Sequence, residues 1–348
     1  LSVVIVPISI PKDIYNSPTI KDTIIEERKF ILTLLFTYII CMFPVNYYII
    51  VGGGTSDIDS RISVEDGYKS KGSFNISYVT ELQGRLAPYL LSFVIPDWKS
   101  IPVSDYKYDD NESIEDISFR NDLDLKMANA NAIKWAFKLA NKEINVIDTK
   151  IYVIALLNTG DNTFKVGDQI ISVNEKSFDN LDDYRSYIQS FSESDILDVK
   201  VIREGKEKTI KAKLHLSNGS LVMGIGLGIV RDYETDPVVQ VKFEDDESGP
   251  SGGLITTLAI YDKLVEEDIT KSLKIAGTGT IEEDGSIGEI GGVKYKLLGA
   301  VKDGADIFLV PNGDNYSECV KLKKEKNLKI KIIGVSNIEE ARELLEDI

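Results

Sequence analysis

Gly249-Pro250-Ser251-Gly252-Gly253, followed by Leu254, Ile255, Leu258, Ala259 and Leu264 on one helical face, is the stretch on which the fold of this chain turns. It places a hydroxyl between a strand, Val238 to Phe243, and the first turn of a helix. Unpaired backbone N–H groups at a helix start can hold a negatively charged oxygen, and Gly252 and Gly253 let a substrate backbone approach closely. Outward from this loop the pattern keeps alternating. Lys274 to Ile281 reads as a strand, Asp284-Gly285 as a turn, Gly292 to Val301 as a helix, Ile307 to Val310 as a strand, and Ile330 to Ile333 as a last strand flanked by two helices. Such alternation predicts an α/β domain over 223–348. On the local motif alone, the plainer account of Ser251 is an ordinary helix N-cap.

Composition removes most rival chemistries. The 348 residues carry 40 Lys and Arg against 56 Asp and Glu, a net charge of −16, and a single His. Neutralising phosphates needs clustered basic side chains, and no basic face is evident, so nucleic acid is not an expected partner. A Ser-His-Asp triad would have to route through His215, in an alternating segment (Thr209 to Leu216) far upstream of the serine loop. One imidazole and two cysteines, Cys41 and Cys319, cannot build a zinc cage, so neither a metal nor another cofactor is expected. Cys41 lies in an apolar run distant from Cys319, which argues against a structural disulfide. At 43% hydrophobic and 28% charged, the chain has the composition of a folded protein of about two domains.

The apolar run itself speaks to location. Phe30 to Val51 contains no charged side chain and is long enough to cross about 30 Å of hydrocarbon as a helix. Arg28 and Lys29 precede it; Gly52-Gly53-Gly54, Asp57 and Asp59 follow. The positive-inside tendency then predicts a cytoplasmic leader over 1–29, a transmembrane anchor over 30–51 and everything after Gly54 outside. Tyr47 and Tyr48 suit an interfacial belt, spanning helices tolerate a proline such as Pro44, and no small-x-small cleavage pattern follows. The remaining alternative is a packed core segment in an intracellular protein.

Between the run and the α/β domain lie two further segments. Residues 55–124 read as an extracytoplasmic N-terminal region, with a turn at Gly67 to Gly72 feeding an alternating strand through Phe74, Ile76 and Tyr78. Leu125 to Lys142 reads as a helix. Ile151 to Leu216 then reads as short strands and one helix, Asn180 to Ser190, closed by a hairpin around Glu204-Gly205-Lys206. The stretch Gly167-Asp168-x-Ile170-Ile171-x-Val173-Asn174 resembles a PDZ domain, assigned here to 125–216 with its leading helix. Such folds capture peptides by strand addition at a sheet edge. Glu175 stands where turns of this kind commonly carry Gly, and the connection Asn158 to Phe164 is short.

The C-terminal region resembles the proteolytic domain of Lon proteases, on three ordered matches. They are Gly249-Pro250-Ser251-Gly252-Gly253, the step Thr278-Gly279, and Gly291-Gly292-Val293-Lys294-Tyr295-Lys296. The resemblance implies Ser251 as nucleophile, Lys296 as general base and Thr278 as the partner that orients the lysine. A neutral amine can take a serine proton if desolvation lowers its pKa from about 10.4 towards roughly 7 to 8. Two lysines compete. Lys294 lies nearer the centre of the stripe formed by Val293, Leu297, Leu298 and Val301, whereas the motif spacing selects Lys296. Lon enzymes usually carry an acid shortly before Gly-Pro-Ser; here Asp245-Asp246-Glu247-Ser248 occupies that place. No Gly-x-x-x-x-Gly-Lys-(Ser/Thr) stretch occurs, so the resemblance does not extend to an ATP-driven unfolding module.

Taken together, the chain reads as α/β and α+β multidomain: an N-terminal transmembrane helix, a PDZ-like β-rich module and a C-terminal Lon-type α/β proteolytic domain. That order resembles the membrane-anchored PDZ/Lon-like serine proteases of Gram-positive bacteria. The resemblance implies an ATP-independent serine endopeptidase that cleaves flexible extracytoplasmic peptides or proteins, held to the cell membrane through 30–51. The alternative from a different class is a PDZ-based peptide-binding scaffold with an inert protease-like domain.

Overall fold

The computed structural model describes residues 28–110, 112–157, 162–244 and 247–348. Most of the leader, part of the Asn158 to Phe164 connection, and Asp245 and Asp246 lie outside the described residues.

The supposed span is two elements. Helix α1 (Arg28–Cys41) has 14 residues and stops short of Pro44. At about 1.5 Å per residue it reaches only some two-thirds of the way across a hydrocarbon core. The remainder of the run opens strand β1 (Pro44–Asp57), because Val45, Tyr47, Tyr48, Ile49 and Ile50 favour a pleated backbone. Ile49 and Ile50 are buried in the protein rather than offered to lipid. No helix among the described residues is long and apolar enough to cross a membrane. The predicted transmembrane anchor over 30–51 and the single-pass cell-membrane placement built on it are therefore overturned, and membrane contact through 30–51 is left without support.

β1 leads through β2 (Ile62–Val64) to β3 (Ser73–Arg85), then the short helix α2 (Leu86–Leu91) and β4 (Lys99–Pro102). Helix α3 (Ile114–Leu139) starts with a capping box in which Ser113 and Asp116 satisfy each other's backbone N–H groups. Two strands, β5 (Glu143–Leu156) and β6 (Gln169–Val173), precede helix α4 (Leu181–Ile188). They are followed by β7 (Ile196–Arg203), β8 (Lys206–Lys213), the ribbon β9 (His215–Ser217) with β10 (Ser220–Val222), and the long β11 (Ile225–Asp236). After β12 (Val239–Val241) come α5 (Gly253–Leu264), β13 (Lys274–Gly277), α6 (Val293–Lys302) and β14 (Ile307–Pro311). Helix α7 (Asp314–Lys326), β15 (Lys331–Val335) and α8 (Ile338–Glu346) complete the chain order.

The strands β15-β14-β13-β3-β1-β4 form one six-stranded sheet, so residues 44–102 supply half of the sheet that carries the C-terminal strands. β15, β14, β13 and β3 run parallel; β3, β1 and β4 run antiparallel. Alternation along the parallel strands fills both faces, as expected where helices cover each side. Ile275, Ile307 and Leu309 meet α5 and α8, whereas Ala276, Phe308 and Val310 meet α6 and α7. Helix α3 sends Ala132, Trp135, Ala136 and Phe137 into the first of these cores.

A second unit has its own core, with Val153, Val173, Tyr184, Ile188, Val199, Val201 and Leu214 among its members. Its sheet order is β11-β5-β6-β7-β8, with β11 at the edge. Asp168 is fully buried and is held by Arg203 through two contacts of 2.6 and 2.7 Å while also accepting the Lys165 N–H. The β6 turn places both Asn174 (φ 46) and Glu175 (φ 66) in the left-handed region. Glycine loses nothing there, whereas an L side chain is strained by roughly 1 kcal/mol or more. Glu175→Gly is expected to raise the stability of this unit by about 0.5–1 kcal/mol, read from the midpoint of urea unfolding.

Gly52-Gly53-Gly54, which the membrane reading placed at the exit of the span, instead forms the floor on which α6 lies. A Cβ on Gly299 would stand 2.5 Å from the Gly54 nitrogen, and one on Gly53 would stand 2.5 Å from the Tyr295 carbonyl oxygen. Both obstacles are backbone, so neither can step aside cheaply. Gly299→Ala is expected to cost roughly 2–3 kcal/mol of unfolding free energy through overpacking.

Candidate active site

Ser251 sits in the loop ahead of α5, and three contacts hold that loop in place. The Gly249 N–H donates to the Asn121 carbonyl on α3 at 2.9 Å, and the Gly279 N–H donates to the Ser251 carbonyl at 2.8 Å. Arg61 pairs with Glu247 at 2.6 Å, which gives the acid just before the loop a structural partner. Packing leaves no room for a side chain at 253 and little at 252. A Cβ on Gly253 would lie 2.5 Å from Ile281 Cγ2, and one on Gly252 would lie 3.0 Å from Ile76 Cδ1. The Gly253 N–H already donates to the Pro250 carbonyl at 3.1 Å.

Lys296 reaches this loop from the first turn of α6. Its Nζ lies 2.7 Å from Ser251 Oγ and donates to Thr278 Oγ1 at 3.0 Å. Thr278 follows the end of β13, and its hydroxyl donates to the Ser251 carbonyl at 3.1 Å. Lys296 is 3% exposed, so its charged form loses nearly all hydration and its amine is pushed down to about 7, despite an opposing pull from Glu81. A lysine so placed carries free base near neutral pH, and its lone pair can accept the Ser251 proton over the observed distance.

Lys294 is directed elsewhere. It pairs with Asp97 at 2.7 Å, and that carboxylate's hydrogen bond and charge raise its amine above the usual lysine value. The α6 helix therefore separates the two lysines that the apolar stripe and the motif spacing left in competition. Lys296 points under the sheet end towards Ser251, whereas Lys294 points out to a partner far away in sequence. His215 lies on β9, in a ribbon outside the six-stranded sheet.

Two residues of β3 carried no signal in the sequence. Glu81 on β3 is the charged group that acts on it, and it also accepts from the Tyr106 hydroxyl at 2.8 Å. Ser77, also on β3, is completely buried. Neither is recognisable without the parallel pairing of β3 with β13, which joins residues some two hundred positions apart in the chain.

Residues 245–346 match the family model described as the Lon protease (S16) C-terminal proteolytic domain, and 136–214 match a PDZ domain model. The chain thus contains a Lon-type proteolytic domain and a PDZ domain. A 97-residue stretch is 31% identical to the Lon protease of Desulfatibacillum aliphaticivorans, covering 28% of this chain and 11% of that protein. A 95-residue stretch is 35% identical to the Lon protease of Neorickettsia sennetsu, covering 27% of this chain and 11% of that one. The chain accordingly spans about a ninth of the length of these curated relatives. Among solved structures, the PDZ domain of an SdrC-like protein from Listeria monocytogenes aligns with 24% of this chain and 92% of its own, at 21% identity and a TM-score of 0.22.

Proposed function

We propose that the chain is a serine endopeptidase in which Ser251 attacks and Lys296 serves as general base, without ATP or a metal, on peptides or unfolded proteins. The observation that carries this reading is the 2.7 Å approach of a desolvated amine to a half-buried serine hydroxyl. As Ser251 Oγ bonds to the scissile carbonyl carbon, its proton passes to Lys296 Nζ and the carbonyl pair moves onto oxygen. Collapse of that intermediate expels the amine, which takes the proton back from Lys296, and leaves an acyl-enzyme. Water, deprotonated by the same amine, then releases the acid. Thr278 orients Lys296 by accepting one of its N–H groups. The oxyanion falls to the N–H groups of Ser251 and Gly252, which carry no hydrogen bond among the described residues, whereas that of Gly253 is already engaged.

Substrate enters as an extended strand. β3 pairs with β13 only as far as Ile76, so from Ser77 to Arg85 its edge away from β1 has no strand partner among the described residues. That edge runs beside the dyad and offers backbone groups to any flexible segment. In the sheet that carries the PDZ-matched strands, β11 pairs among the described residues only with β5 and offers a second edge of the same kind. The test is hydrolysis of fluorescein-labelled casein in the presence of chelator and without nucleotide. The wild-type chain turns it over, and absence of turnover would defeat the reading.

A further inference from the structure

Among the described residues, the six-stranded sheet holds a buried hydroxyl without a hydrogen-bond partner. Ser77 is 0% exposed, and its Oγ makes no hydrogen bond within the described structure. Buried polar groups are nearly always satisfied, so an orphan is a question about function. Its position supplies the answer. Phe74 and Ile76 on β3 face the core under α5, so by alternation Ser77 faces α6. The last pair of the parallel ladder is Ile76 with Gly277, so Ser77 and Thr278, the residue that accepts from Lys296, are the residues that follow directly at that end of the two strands.

Counting donors on the amine identifies what is missing. Neutral Lys296 uses its lone pair for the Ser251 proton and one N–H for Thr278, leaving one N–H unassigned. Once it takes the proton, the ammonium has three N–H groups in a nearly anhydrous place. One stays with the reacting atoms and one with Thr278, so the third has no acceptor in the dyad.

Resting on the Ser251–Lys296 reading above, we infer that Ser77 is a positioning residue whose hydroxyl oxygen accepts this third N–H and so stabilises the ammonium formed during attack. Ser77 acts through the lysine and touches no reacting atom. Glu81, on the same face of β3, is the charged group acting on Lys296; on the neighbouring positions, Lys294 is tied outward to Asp97, and Glu318 on α7 acts on Lys294.

The experiment compares wild type, Ser77→Ala and Ser77→Thr on labelled casein across pH, with Ser251→Ala as control. Losing an acceptor for a charged donor is expected to lower kcat about tenfold with KM unchanged. Because the ammonium loses support, the lysine holds its proton less well, and the acid limb of the rate profile moves to lower pH by about one pH unit. The Lys296 titration, followed by NMR on carbon-labelled lysine, moves the same way and needs no turnover. Removing an unpartnered hydroxyl leaves the unfolding midpoint unchanged or higher, and Ser77→Thr restores both rate and limb. A Ser77→Ala enzyme with wild-type kcat, acid limb and lysine titration overturns the inference, as does a rate loss that only tracks a lowered unfolding midpoint. Retained hydrolysis in Ser251→Ala would instead overturn the proposed function, so the two failures are distinguishable.

Discussion

Ser251→Ala and Lys296→Ala are each expected to lower kcat on an unstructured protein by on the order of 10⁴-fold or more, and the double variant by no more than either single one. On the proposed mechanism the dyad acts as a unit: without the hydroxyl there is nothing to acylate, and without the amine the 2.7 Å contact that would deprotonate it is gone. Lys294→Ala is the informative contrast. Its ammonium is occupied with Asp97, so kcat is expected to stay within about threefold of wild type, as for a surface ion pair remote from the chemistry. The wild-type acid limb is expected near pH 7, because Lys296 must be neutral to accept the proton and burial has brought its amine down to about 7. Steady-state rates for the four variants, with a pH series for wild type, check all of this. A dead Lys294→Ala with an active Lys296→Ala would reverse the assignment of the base.

The same burial makes Lys296 a burden on the fold. Its amine falls from 10.5 in the unfolded chain to about 7 in the folded one. For a base whose folded value is depressed, the unfolded state binds the extra proton between those two pH values, so wild-type stability rises with pH across that window. The penalty is fully present below about pH 7 and is gone above about 10.5. Lys296→Met keeps the length and removes the charge. It is expected to be inactive yet more stable than wild type by on the order of 3–4 kcal/mol at pH 7, the difference shrinking as pH approaches 10.5. Urea unfolding of both proteins at neutral and alkaline pH reads it directly. Equal stability at every pH would mean that the lysine is hydrated, which would remove the physical basis for its role as base.

The apolar run at 30–51 shows how local pattern misleads. Hydropathy counts uncharged residues but does not see that Pro44 ends the helix, or that Val45 to Ile50 finds partners on β3 and β4. Strand pairing is a long-range event, and an apolar stretch destined for a buried sheet looks the same as one destined for lipid. Nothing local marks β3, within the region read as 55–124, as a neighbour of β13 either.

Ser251, Thr278 and Lys296 were singled out by the resemblance to the Lon proteolytic domain, since the local motif alone reads Ser251 as a helix N-cap; the folded chain brings the three side chains within hydrogen-bonding distance. The α/β alternation and the Gly167-Asp168 turn were legible locally, each being a local period or a local bond. Burial pattern and motif spacing pointed to different lysines, and the tertiary structure brings Lys296 to the serine while Asp97 holds Lys294 from a distant part of the chain; only the β3–β13 ladder brings Ser77 and Thr278 to the same end of two strands. Short-range chemistry is written in adjacent residues, whereas the choice between equally spaced groups depends on which surfaces the folded sheet brings together and seals from water.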